Sequence, residues 1–165
     1  DRMVFNSLRS KGFSKQVSNL ITELTTYETK NSWRSKSLPL GSPTSPMLSN
    51  LVFEKIDKKL LEFLQNKKMV YSRWLDDLTF SSNNDFQEDS SLILQIVISN
   101  GFKINRSKTT YKKNKSVITG VVVGTSTMKV TNSFRNQDVT DFSQNQLLGR
   151  KSYKQQVYFA DKRKS

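Results

Sequence analysis

Between residues 43 and 65 the chain carries an apolar pattern that only one backbone conformation can use. Met47, Leu48, Leu51, Val52, Ile56, Leu60 and Leu64 recur at intervals of three and four. That spacing stacks them along one face of an α-helix. A stripe of this width must be covered by other elements, so the helix is the natural centre of the fold. Its start is marked by Leu38-Pro39-Leu40-Gly41-Ser42-Pro43-Thr44-Ser45-Pro46, where three prolines in eight residues forbid regular structure. Ser42-Pro43 or Ser45-Pro46 then supplies a cap followed by a first-turn proline. Asn66-Lys67-Lys68 closes the helix after Gln65.

The elements that cover this helix are legible on both sides. Met69–Trp74 and Leu78–Ser81 read as two short strands joined through Leu75-Asp76-Asp77, a hairpin with two carboxylates at its turn. Asp85 or Asn84 caps a further helix that carries Leu92, Ile93, Ile96 and Val97 and stops at Asn100-Gly101. Upstream, Met3, Val4 and Leu8 have helical spacing as far as Gly12. Ser14 caps a second helix with Val17, Leu20, Ile21 and Leu24 on one face. Thr29–Ser37, with Trp33 among Lys30, Arg34 and Lys36, reads as a loop or exposed hairpin. Downstream, Thr109–Lys112, Ser116–Val123 and Met128–Thr131 are strand-like. The Gln/Asn-rich basic stretch from Asn132 offers one more helix around Leu147, Leu148, Tyr153, Val157 and Tyr158. The expected class is α+β: an antiparallel sheet around the Asp76-Asp77 hairpin, with the 43–65 and 85–99 helices packed on one face.

Composition narrows the chemistry. There are 27 Lys and Arg against 14 Asp and Glu, with no His, for a formal charge of +13. Such a charge calls for a polyanionic partner, nucleic acid or an acidic membrane surface. With no Cys and no His, disulfides, zinc fingers, thiol nucleophiles, imidazole–metal sites and Ser-His-Asp triads are excluded. Any metal must be held by oxygens, which suits Mg²⁺ or Mn²⁺. The longest apolar runs, Leu92–Leu94 with Ile96–Ile98, are far short of a membrane span. With no export signal, a cytoplasmic location and no membrane partner are expected. The chain opens at Asp1 inside an amphipathic segment, so an excised or processed piece is expected.

Four segments can carry chemistry. Asp76 and Asp77 can bind divalent cations at the hairpin tip, and in phosphoryl transfer paired ions serve the attacking and leaving oxygens. Taken alone, an Asp-Asp pair is usually a solvated turn, but here Trp74, Leu75, Leu78 and Phe80 flank it, as a hairpin packed on helices requires. The Leu38–Pro46 loop offers backbone N–H groups and a helix N-terminus to a phosphate or base edge, although it would serve equally as an ordinary lead-in to a helix. Gly101-Phe102-Lys103-Ile104-Asn105-Arg106-Ser107-Lys108 puts three cations in six residues, for a triphosphate or template backbone or merely for solvent. Val117–Val123 is a buried strand whose Thr119-Gly120 could lie against a primer.

In this order and spacing the segments resemble the palm of a reverse transcriptase, most closely the bacterial retron type and its relatives among group II intron and antiviral-defence enzymes. The family's Leu-Pro-Gln-Gly-Ala-Pro-Thr-Ser-Pro segment and following Leu-Ser-Asn are matched by Leu38–Pro46 and Leu48-Ser49-Asn50. Its Tyr-Ala-Asp-Asp hairpin is matched by Trp74-Leu75-Asp76-Asp77, and its Gly-Phe…Asn…Lys segment by Gly101, Phe102, Asn105 and Lys108. Its Thr-Gly primer-grip turn is matched by Thr119-Gly120. The likeness covers residues 2–123 and extends loosely to Leu148–Tyr153.

The resemblance implies RNA-directed DNA synthesis with two Mg²⁺ or Mn²⁺ ions. The implied partners are an RNA template, a DNA or RNA primer, deoxynucleoside triphosphates and a cognate structured non-coding RNA. It assigns Asp76 and Asp77 to the metals and Lys108 to the leaving pyrophosphate. Leu40, Gly41, Ser42, Pro43 and Leu75 would line the nucleotide and template base. Thr119, Gly120, Arg73, Lys103 and Arg106 would follow primer and backbone, with Trp33 and Phe102 as stacking platforms. Residues 1–131 would then be a partial palm, without its first catalytic strand and the fingers, and 132–165 a basic tail that starts a thumb or RNA-binding region.

Three departures qualify the match. Leu40 stands where the family has Gln, and Trp74 and Leu75 stand where it has Tyr and Ala. The family's first metal-binding aspartate lies on a strand before the first helix and has no counterpart here. The isolated chain is therefore expected to be inactive. Two other readings fit the same residues: a template-independent polymerase of this fold, and a non-catalytic RNA-binding module.

Overall fold

The computed structural model describes residues 1–29 and 36–162, which divide into two compact units, one ending at Asn105 and the other starting at Arg106. This division lies upstream of the 131/132 boundary expected from the sequence. It places the strands after residue 115 with the C-terminal helix.

The first unit is built around the long helix. Helix α1 (Arg2–Ser10) is followed by its C-cap Lys11 and then Gly12, and α2 (Lys15–Thr25) is capped by Ser14, whose hydroxyl accepts from the Val17 N–H at 3.2 Å. Strands β1 (Tyr27–Glu28) and β2 (Lys36–Ser37) pair antiparallel. Helix α3 (Ser45–Leu64) starts at the second of the two expected positions, with Pro46 in its first turn. Strands β3 (Met69–Trp74) and β4 (Asp77–Ser82) form the hairpin, and α4 (Gln87–Ser99) follows. Asp85 tightens the approach to α4 by accepting from the Gln87 N–H at 2.9 Å, although Phe86 holds the cap position.

Two apolar clusters use two faces of α3. Phe53, Ile56 and Leu60 meet Ile93 and Val97 of α4, and the inner face of the hairpin (Met69, Tyr71, Leu78, Phe80) closes over them. Leu48 instead meets Val4 and Leu8 of α1, with Leu38, Leu51 and Val52 alongside. The helices thus cover one face of the hairpin, as expected. The single sheet expected around the hairpin is not observed. The described strands form three separate antiparallel sheets, and β3–β4 is a sheet of two.

Helix α2 departs from its apolar pattern. Ser18 and Thr22 are its buried residues, whereas Val17, Leu20 and Leu24 are exposed. Of the expected stripe only Ile21 packs inward, against the cluster shared by α1 and α3.

The second unit holds β5 (Ser116–Ile118), β6 (Val121–Val123) and β7 (Met128–Val130), paired in that order, then α5 (Asn132–Arg135) and α6 (Gln144–Lys162). Thr109–Lys112, expected as a strand, is irregular and exposed. Ser116–Val123, expected as one strand, is a hairpin, because Thr119 and Gly120 both adopt positive φ (45° and 82°). Two successive left-handed residues make a turn whose twist matches the strands. Tyr153 of α6 donates its hydroxyl hydrogen to the Gly120 carbonyl at 3.3 Å. Arg150 of α6 donates to the Phe134 carbonyl and, at 2.9 Å, to Gln137, and stacks 4.0 Å over the Phe134 ring. The Leu148–Tyr153 stretch therefore contributes two anchors between α6 and the rest of this unit.

A β-branched residue at φ 45° is strained, whereas Asn tolerates the left-handed region. Thr119 is exposed, so its replacement by Asn removes little packing. Thr119→Asn is expected to stabilise this unit by about 1 kcal/mol, the scale of a relieved left-handed residue, seen as a higher urea midpoint at unchanged slope.

Candidate active site

The site is the tip of the β3–β4 hairpin. Trp74 pairs with Asp77, leaving Leu75 and Asp76 as a two-residue turn. The turn is one residue shorter than expected, and Asp77 opens β4. Leu75 sits at φ 55°, a left-handed conformation that costs a leucine about 1–2 kcal/mol.

Alternation then sorts the side chains. Met69, Tyr71 and Arg73 face the helices, while Val70, Ser72 and Trp74 face outward. Pairing puts Ser81, Thr79 and Asp77 opposite those three outward residues. Asp77 therefore stands beside Trp74, which is 69% exposed. Trp74, expected to pack the hairpin on the helices, does not, because only the alternate positions of β3 face inward. Asp76 and Asp77 are both exposed, and among the described residues neither carboxylate is held by a hydrogen bond or ion pair.

Below the tip lies a polar network. Arg73 donates from Nε and Nη2 to the two oxygens of Asp57, at 3.0 and 2.7 Å. Its Nη1 donates to Asn50 Oδ1 and to the Leu75 carbonyl, both at 2.8 Å. Tyr71 donates its hydroxyl hydrogen to Asp57 at 2.7 Å and stacks on Phe80 at 4.9 Å. Burial, with the Asp57 carboxylate beside it, holds the Tyr71 phenol protonated well above its ordinary range. Asp57 likewise raises the Arg73 pKa.

Arg73 was expected on nucleic acid. Its side chain is only 11% exposed and its donors are committed inside the protein. The period-two register shared with Met69 and Tyr71 could have shown this. Asp57 and Asn50 were missed, and their spacing of seven along α3 was the available signal. Phe102, expected as a stacking platform, instead packs edge-on against Phe53 at 4.8 Å.

Leu40, Gly41, Ser42 and Pro43 form the loop before α3. Leu38 anchors the loop in the α1–α3 cluster, and Ser45 Oγ donates to the Pro39 carbonyl at 2.7 Å. Gly41 has φ 81° and Leu40 is fully exposed. Lys103 is exposed between Phe102 and Ile104, which pack inward. Arg106, Lys108, Thr119 and Gly120 belong to the second unit and are exposed there. Trp33 lies outside the described residues.

Two adjacent carboxylates are a hard oxygen donor set. That suits Mg²⁺, which takes one or two protein carboxylates and completes its shell with substrate phosphates and water. Among the described residues no group of three or more acidic, His or Cys side chains gathers to hold a metal.

Residues 4–137 match the family described as "Reverse transcriptase (RNA-dependent DNA polymerase)", and the chain belongs to that family. Several curated relatives are of the retron type. It is 28% identical over 124 residues to the retron Ec86 reverse transcriptase of Escherichia coli, covering 73% of this chain and 37% of that protein. It is 35% identical over 89 residues to the retron Mx65 reverse transcriptase of Myxococcus xanthus, covering 52% of this chain and 21% of that protein. With the retron Mx162 reverse transcriptase of the same organism it shares 29% over 147 residues, 74% of this chain and 30% of the relative. The chain thus spans about a third or less of these relatives. No described helix is long and apolar enough to cross a membrane.

Proposed function

We propose that the chain supplies the metal-holding hairpin of an RNA-directed DNA polymerase of retron type, acting on a primer 3′-hydroxyl with an RNA template. One observation carries the reading: a member of this family presents two unengaged carboxylates, Asp76 and Asp77, at a hairpin tip tied to the helical core. Bound there, two divalent ions would lower the charge barrier to attack on the nucleotide α-phosphate. Asp76 and Asp77 would hold them together with a further carboxylate from outside the described site, and the hairpin pair by itself would support little synthesis.

The remaining roles are those that the family resemblance implies. Leu40, Gly41, Ser42 and Pro43, with Leu75, face nucleotide and template base. Gly41 at φ 81° lets the loop backbone turn toward a ligand with no side chain in the way. Lys108 stabilises the departing pyrophosphate, Thr119-Gly120 guides the primer, and Lys103 and Arg106 follow the backbone. A cognate structured RNA is the natural partner of so basic a chain, the cytoplasm its location, and an antiviral-defence system its setting.

A specific feature keeps template-independent synthesis as the second reading: Leu40, fully exposed, offers no side-chain amide to a template base. Product sequence separates the two, being complementary to the RNA template in the first case and homopolymeric in the second. RNA binding by the chain is expected to weaken steeply with salt. If about six phosphates are neutralised, the loss is about 10³-fold between roughly 50 and 200 mM, measured by fluorescence anisotropy. Affinity indifferent to salt would contradict a backbone-tracking surface.

A further inference from the structure

We propose that Arg73 is a positioning residue for the Asp76-Asp77 tip, clamping it to α3 through Asp57 and Asn50; the metal part of this inference rests on the function proposed above. The guanidinium is the one group that touches both the turn and the long helix in this network. Two donors grip Asp57 as a fork, at 3.0 and 2.7 Å, and Nη1 reaches Asn50 and the Leu75 carbonyl, both at 2.8 Å. Four of its five N–H donors are thus committed. It lies 4.8 Å over the Phe53 ring, and Tyr71 braces Asp57 from the other side. Asn50, Phe53 and Asp57 are spaced three and four apart, so one face of α3 presents the whole cradle.

The point of attachment is informative. Leu75 is the left-handed residue of the turn, and its carbonyl is the atom the guanidinium holds. The two carboxylates follow directly in the chain. An unclamped turn is free to relax Leu75 out of its strained conformation, and Asp76 and Asp77 would swing with it. Without breaking these bonds Arg73 has a single N–H left for nucleic acid. The clamp also gives a physical reason for the Leu-Ser-Asn segment at the start of α3: Leu48 packs on α1, while Asn50 reaches the clamp. Lysine cannot replace Arg73, because a point ammonium cannot grip a carboxylate as a fork and reach two further acceptors at once.

The test uses the 165-residue chain, its Arg73→Lys variant and, because Asn50 is exposed and its loss leaves the core intact, Asn50→Ala. Each is titrated with MnCl₂ alone while paramagnetic broadening of the Leu75–Asp77 amide signals is followed by NMR. Amide exchange at the same residues and circular dichroism are recorded alongside. Arg73→Lys is expected to keep its helical signal, speed amide exchange at the tip and weaken Mn²⁺ binding there at least about tenfold, the scale of losing an outer-shell partner. Asn50→Ala is expected to do the same to a smaller degree. Unchanged tip exchange in both folded variants would overturn the clamp, as would Mn²⁺ affinity equal to wild type. If Arg73→Lys unfolds, Asn50→Ala alone decides by the same criteria. If the wild-type tip binds no Mn²⁺ while both variants still loosen it, the metal reading fails and the clamp stands.

Discussion

Asp76→Asn will lower RNA-templated primer extension by at least about a hundredfold, the scale of losing one preorganised electrostatic contact to a charged transition state. The measurement requires the chain together with any coding sequence that precedes it, since the hairpin offers only two carboxylates. Asn keeps the shape of the side chain and a single carbonyl oxygen but removes the charge that holds a hard cation. The side chain is exposed and unengaged among the described residues, so folding should not change. A drop in synthesis at constant thermal midpoint separates lost chemistry from lost structure. Asp77→Asn should follow the same pattern, because Asp77 opens β4 on the outward face beside Trp74. Equal activity in wild type and Asp76→Asn would remove the hairpin from the reaction.

The second large effect is on stability. Leu60 has no exposed surface and sits where α3 meets α4 and the inner face of the hairpin. Leu60→Ala removes buried methyl and methylene groups and leaves a cavity that three elements must collapse to fill. The expected cost is about 2–5 kcal/mol. A domain of ordinary stability, about 5–15 kcal/mol, would lose a large part of its margin. Urea unfolding monitored by circular dichroism would show it as a lower midpoint. Leu61→Ala is the internal control, because Leu61, next in sequence, is 57% exposed. Similar losses at both positions would mean that α3 does not bury the face described.

What was legible in the sequence follows from how local each signal is. Helix α3 declared itself because its apolar spacing, prolines and polar stop all agree within one segment. The hairpin did so because its strands are adjacent in sequence. Helix α2 misled in part: of its stripe Ile21 packs inward, but Val17, Leu20 and Leu24 are exposed while Ser18 and Thr22 are buried. Which face of α2 is covered is a tertiary fact. The turn at Thr119-Gly120 was hidden inside a β-branched run, where only the glycine hinted at a break. The two carboxylates were plain from their position between apolar flanks. The Arg73 clamp was not, because a cation reads as surface by residue type. Only the strand register, together with Asn50 and Asp57 on one face of a distant helix, puts it inside. The separation of the β5–β7 sheet from the hairpin depends on pairings that no local pattern encodes.

The central claim is that this hairpin serves templated DNA synthesis. Its most direct test is primer extension on a defined RNA template, with Mg²⁺ and then Mn²⁺. The chain is assayed alone and within any longer polypeptide that contains it, each beside Asp77→Ala, and the products are sequenced. The account predicts little product from the chain alone. The longer polypeptide should give product complementary to the template, which disappears with Asp77→Ala. Product that survives Asp77→Ala, or no templated product from the longer polypeptide while RNA is still bound, would contradict it.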